Sequence, residues 1–141
     1  MHSLFRLTLL LCLALWAGQA DAAGSRKQAR LLGQTQDAYT ATIRWGEFEK
    51  AWEMVDPAYR EQHPMTELEF ERYRQLQISG YSDLGHGSSA DGTVARNVEI
   101  RVINRHTMAE RNLRYREQWR WDPEAKRWWL ANGLPDLWAG Q

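Results

Sequence analysis

From Ser25 to Tyr73 the apolar positions recur every three or four residues. Leu31, Leu32, Thr35, Ala38, Tyr39 and Thr42 line one face of a helix, and Arg26, Lys27, Arg30, Gln34 and Asp37 fall mostly on the other. Gly46, directly after Trp45, is expected to separate this helix from a second one or to kink it. Phe48, Ala51, Trp52 and Val55 carry the stripe through a short second helix. Asp56-Pro57 is predicted to close it, because the residue before a proline is pushed out of helical angles. A third helix starts at Thr66-Glu67-Leu68-Glu69, which has the form of a capping box, with Met65 and Phe70 at the positions of a hydrophobic staple. Glu67, Glu69 and Glu71 suit the positive end of its dipole, and it is expected to run to about Gln75.

After Leu76 the period changes to two. Leu76, Ile78 and Gly80 alternate with polar residues, and residues 85–92 (Gly-His-Gly-Ser-Ser-Ala-Asp-Gly) read as a flexible loop. Val94, Val98, Ile100 and Val102 mark one strand. Leu113, Tyr115, Trp119 and Trp121, alternating with Arg114, Arg116, Gln118 and Arg120, mark the next. Asp122 to Arg127 is a turn, and Trp128-Trp129-Leu130 returns as a last strand. The tail from Gly133 to Trp138 has no period, but its apolar residues suggest that it packs on the body. Helices first and antiparallel strands afterwards predict an α+β domain, with N-terminal helices packed on a curved antiparallel sheet.

The amino terminus has a different character. Arg6 precedes an apolar run from Leu7 to Ala17, and Ala20-Asp21-Ala22 has the form cut by signal peptidase. The run is shorter than the ~20 apolar residues that span a bilayer. The expectation is a cleaved signal peptide over residues 1–22, a single domain over 24–141, and a periplasmic or secreted location with no stable membrane span. The only cysteine, Cys12, lies inside the apolar run after Leu11, not at a lipoprotein cleavage point. The mature chain would therefore carry no disulfide, and its core alone would stabilise it.

Composition narrows the function classes. The chain has 141 residues, with 18 basic and 18 acidic side chains, and a net charge of zero. A nucleic-acid binder usually carries a basic surplus, so no nucleic-acid partner is expected. Residues 24–92 hold 8 basic and 11 acidic side chains, and residues 93–141 hold 9 and 6. This asymmetry reads as complementarity within one domain.

The order of elements resembles the nuclear-transport-factor-2-like superfamily. The resemblance covers about residues 26–131. It rests on a long helix, a short helix with Gly46-x-Phe48-x-x-Ala51-Trp52 and Asp56-Pro57, a third helix, and long strands ending in Trp119-x-Trp121 and Trp128-Trp129. It implies a cone in which a curved sheet wraps the helices and can enclose a pocket. The superfamily includes isomerases, dehydratases and transport adaptors, so the resemblance implies architecture more than chemistry.

Enzymes of that superfamily place acid, base and tyrosine groups inside the cone. Glu117 shares the alternation of Leu113, Tyr115, Trp119 and Trp121, so it is expected to face the apolar side. A carboxylate among aromatics could act as general acid or base, and Tyr115 on the same face could donate to an oxyanion. The alternative is that Glu117 pairs with a helix arginine such as Arg44 or Arg72, or lies near an open rim. Eight tryptophans invite a ligand platform, with Trp119, Trp121 and Trp52, together with His86 from the glycine-rich stretch, as candidate binding residues. The alternative is that they fill the core of a small domain. Arg114, Arg116 and Arg120 form a cationic row on the opposite sheet face, either solvated or meeting an acidic partner. His63, His86 and His106 are too scattered for a metal site, so neither metal nor cofactor is expected.

The resulting expectation is an exported, non-catalytic domain of the bacterial cell envelope that binds a small apolar ligand or an envelope protein. The alternative is a metal-independent isomerase- or dehydratase-like enzyme using Glu117 and Tyr115. A further alternative is a homodimeric structural module joined through the outer sheet face.

Overall fold

The structure, a computed structural model, describes residues 24–140. The expected leader, including Cys12, lies outside the described residues. Helix α1 covers residues 24–44 and buries Gln36, Tyr39 and Ile43, spaced three and four apart on one face. It stops where the periodicity breaks. Gly46 takes a φ of 74°. Its amide donates to the Ile43 carbonyl at 3.1 Å, and the Glu47 amide reaches Thr42 at 2.8 Å. This pairing is a Schellman motif, and the left-handed residue it needs is the glycine.

Helix α2 (Phe48–Glu53) buries Phe48 and Ala51 and is shorter than its stripe predicts. Val55 is not helical. It forms a parallel bridge to Leu130, with the Asp56 amide donating to the Leu130 carbonyl at 2.9 Å. Asp56-Pro57 opens a helix and does not close one, which corrects the sequence expectation. In α3 (Pro57–Gln62) the Asp56 side chain caps the Ala58 amide at 3.0 Å, and Pro57 occupies the first turn. Its missing N–H costs nothing there, because first-turn amides have no intrahelical partner. Helix α4 (Glu67–Arg74) begins with the expected capping box: Thr66 accepts from the Glu69 amide at 3.3 Å, and Glu69 accepts from the Thr66 amide at 2.7 Å.

The strands β1 (Leu76–Ser88), β2 (Val94–Asn104), β3 (Glu110–Asp122) and β4 (Arg127–Leu130) form one antiparallel sheet in sequence order. The fold is therefore α+β, with an open four-stranded sheet. Residues 85–88 belong to β1, so the predicted loop shrinks to the turn at 89–93. Two register shifts interrupt β1, between Ile78 and Gly80 and between Asp83 and Gly85. They matter for the site. Strict alternation from Leu76 would put Gly80 and Ser82 on the core face. The first bulge instead sets Tyr81 opposite Ile100, and the second sets His86 opposite Arg96.

Val98, Ile100 and Val102 of β2 are wholly buried against α1 and α2 residues, including Tyr39, Ile43 and Phe48. Each such side chain contributes about 1.5–3 kcal/mol by leaving water. Trp119 is also wholly buried and meets Tyr39 edge to face, with ring centroids 5.5 Å apart. The Trp128 indole donates to the Gln28 carbonyl at 2.9 Å, tying β4 to the start of α1.

The tail packs on the body, as its apolar residues suggest. Leu137 is wholly buried. Tyr73 donates to the Pro135 carbonyl at 2.8 Å, Tyr115 to the Gly133 carbonyl at 2.5 Å, and the Trp138 indole to the Arg72 carbonyl at 3.1 Å. Arg111 donates to the Leu137 carbonyl. No helix among the described residues is long and apolar enough to cross a membrane.

Candidate functional site

Glu117 has no exposed surface. It lies opposite Arg96 in the β2–β3 register, and both project to the same face. Arg96 Nε donates to Glu117 Oε2 at 2.7 Å and Arg96 Nη2 to Oε1 at 2.8 Å, a bidentate pair. Oε2 also accepts the Trp119 indole N–H at 2.8 Å, and Oε1 accepts the Tyr81 hydroxyl. Arg96 Nη2 reaches on to Thr40 Oγ1 of α1 at 3.0 Å. The cluster thus joins α1, β1, β2 and β3, and the bulge after Ile78 is what delivers Tyr81 to it.

The electrostatics follow from this geometry. Burial, then the adjacent Glu117 charge, pushes the Tyr81 phenol well above its usual 10.0, which keeps it a donor. Burial, then Glu117, raises the Tyr115 phenol in the same way. Burial works against the Arg96 charge, but the hydrogen bonds and charge of Glu117 outweigh it, and Arg96 is held more firmly protonated.

A carboxylate offers roughly four lone-pair sites. Glu117 has a donor on each. A general base must have a free lone pair for the substrate proton, and this one is spent within the protein. Tyr115 is likewise committed, to Gly133. The pairing arginine comes from the neighbouring strand and is neither Arg44 nor Arg72. The pattern does carry a signal for it. Arg96 is in phase with Val98, Ile100 and Val102, so a cation sits on an apolar strand face two strand positions from Val98.

The candidate ligand residues are not gathered in one place. Trp119 is wholly buried inside the Glu117 cluster. Trp121 is half-buried, with its ring 5.6 Å from that of Trp128. His86 is exposed on β1, with Nε2 3.1 Å from Asp83 Oδ2. Arg120 leaves the expected cationic row by donating to Asp56 at 2.7 Å, so it braces the cap of α3, whereas Arg114 stays exposed. Among the described residues no three metal-ligating side chains come together.

Trp52 stands apart from these. It lines a cleft of about 260 Å³ together with Tyr59 of α3, Glu69, Arg72 and Tyr73 of α4, and Leu134, Asp136 and Trp138 of the tail. The rings of Trp52 and Tyr59 meet edge-on at 73°, with centroids 6.3 Å apart. Burial, then the charges of Asp136 and Glu69, raises the Tyr73 phenol to about 12. Sequence patterning missed this cleft because its walls come from α2, α3, α4 and an aperiodic tail. Of its lining, the sequence pattern singles out Trp52 alone as a candidate binding residue. The chain matches no family model, and no curated protein or solved structure is similar to it.

Proposed function

We propose that this chain is an exported, non-catalytic domain of the cell envelope that binds a small, largely apolar molecule or an apolar group of a protein partner. The observation that carries the reading is the saturation of Glu117. The one carboxylate placed among the core aromatics has four donors on its two oxygens, and Tyr115 donates to the tail. Both groups of the enzyme alternative are occupied in holding the fold. The cleft beside Trp52 is the binding place: Trp52, Tyr59, Tyr73 and Trp138 give it half-buried aromatic walls, and Glu69, Arg72 and Asp136 add polar groups that can fix a ligand's orientation. Helices followed by an antiparallel sheet also support the nuclear-transport-factor-2-like reading, in which the sheet curves as a cone around the helices. The export reading rests on the Leu7–Ala17 run and the Ala20-Asp21-Ala22 site.

The test is native mass spectrometry of the protein purified gently from the envelope of its own host. A reproducible extra mass, lost on Trp52→Ala substitution, is the expected result. A bare protein under the same conditions would overturn the ligand-carrier reading.

A further inference from the structure

We propose that a second cleft, between the end of α1 and the start of β1, binds a small molecule that joins an oxyanion, a carboxylate or a phosphate, to a flat ring. This site goes beyond the binding reading above and shares no lining residue with the Trp52 cleft.

The cleft has a volume of about 550 Å³, within the roughly 300–1,000 Å³ of small-molecule sites. Helix α1 supplies Thr40, Ala41 and Arg44, and Trp45 follows directly. Strand β1 supplies Ile78, and Arg105 comes from the turn after β2.

The ring of Trp45 is open. It lies two residues past the buried Ile43, off the face that packs on the sheet, and is 82% exposed. Among the described residues no ring stacks on it and no cation covers it. Every other described tryptophan is buried or half-buried. An indole left in water in such a fold is surface available to a ligand ring.

The hydrogen-bonding inventory selects an anion. Arg74, Arg96, Arg101, Arg114 and Arg120 each meet a carboxylate. Among the described residues the guanidinium groups of Arg44 and Arg105 meet none, and neither has a hydrogen-bond or ring partner. Thr40 adds a third donor. Thr35 and Thr42 turn their hydroxyls back onto the helix carbonyls of Leu31 and Tyr39. Thr40 Oγ1 instead accepts from Arg96 at 3.0 Å, so its own hydrogen remains for another acceptor. Asp37 is the only carboxylate in the lining, and Gln77 both donates and accepts. Donors therefore outnumber acceptors, and two positive charges stand against one negative. A guanidinium matches the oxygens of carboxylate and phosphate, whereas a cationic ligand would meet both arginines.

The protein, produced in its own host, is titrated at constant ionic strength with benzoate, phenyl phosphate, benzamide and inorganic phosphate. The Trp45 indole N–H signal is followed by NMR. The expected result is a saturable shift with benzoate or phenyl phosphate, the tighter of the two naming the oxyanion. Neutral benzamide and ring-free inorganic phosphate should each bind at least tenfold more weakly. Arg105→Gln should weaken the tighter ligand several-fold at an unchanged urea midpoint, since its guanidinium holds nothing in the fold. Asp37→Asn should strengthen it several-fold, a gain that damage to the fold does not produce. No saturable shift with either anion, benzamide as tight as benzoate, inorganic phosphate as tight as phenyl phosphate, or no gain on Asp37→Asn overturns the inference. Each of these failures leaves the Trp52 cleft and its own test standing.

Discussion

Arg96 and Glu117 face each other across β2 and β3, and the guanidinium closes two hydrogen bonds onto the carboxylate with almost no surface of either side chain exposed. Such a pair is weak as a source of net stability, because desolvating two charges offsets their attraction. Its strength lies in being costly to break. Around it, Tyr81 and Trp119 each spend a donor that would otherwise lack a partner in the interior, and Thr40 accepts from the outer edge of the guanidinium.

Glu117→Gln should therefore destabilise the protein by about 3–5 kcal/mol, since it leaves the Arg96 charge buried and uncompensated. The double variant Arg96→Met with Glu117→Leu should recover only part of that loss, because both charges vanish together but the Tyr81 hydroxyl and the Trp119 indole N–H lose their acceptor. Urea unfolding of the wild type, both single variants and the double variant measures this cycle. A Glu117→Gln protein that unfolds at the wild-type urea concentration would sink the structural role.

The tail is held by a position that only glycine fits. Gly133 has a φ of 80°, and a Cβ there would lie 2.5 Å from a Tyr59 ring carbon. Gly133→Ala should cost at least about 1 kcal/mol through backbone strain alone. It should also loosen the segment that carries Trp138. Limited proteolysis should then cut the C-terminal segment faster than in the wild type, with unchanged cleavage speaking against a tail anchored at this point.

Tyr73 makes stability depend on alkaline pH. Its phenol is raised from 10.0 to about 12 in the folded protein, chiefly by burial. The folded state thus holds this proton more tightly than the unfolded chain does. The contribution is complete below about pH 10 and is lost as pH rises toward about 12. Tyr81, Tyr115 and Tyr39 shift in the same direction. Unfolding free energy should fall across that window, and less steeply in Tyr73→Phe. Parallel curves for the two proteins would contradict the assignment to Tyr73.

The capping box offers a local test. Thr66→Ala removes the acceptor for the Glu69 amide and should cost about 1 kcal/mol, whereas Thr66→Ser should retain most of the cap. Thermal unfolding of the two variants separates the hydroxyl from the methyl group. An equal loss in both would place the effect in packing.

Much of the local structure was legible in the chain because it is encoded locally. Period, Gly46 and the Thr66 box placed α1 and α4, since each depends on residues within about one helical turn. Glu117 was correctly read as facing the apolar side, because alternation along one strand sets direction. The alternative of an arginine partner holds, but the arginine comes from β2 and not from a helix. Which strand residue stands opposite Glu117 is a matter of register, and β1 adds two bulges that alternation does not reveal. Asp56-Pro57 was read as a stop and is a start, for the same dipeptide suits both ends of a turn.

What the chain carries in its own pattern is the α+β order, the apolar faces and the helix boundaries marked by glycine and caps. Each of these follows from the geometry of one segment and its nearest neighbours. The bidentate Arg96–Glu117 pair and the cleft of Trp52, Tyr59, Tyr73 and Trp138 exist only after segments far apart in sequence have packed. Their geometry is set by strand register and by where the tail docks. Those long-range choices depend on the summed packing and hydrogen bonding of the whole domain, which no short window of residues contains.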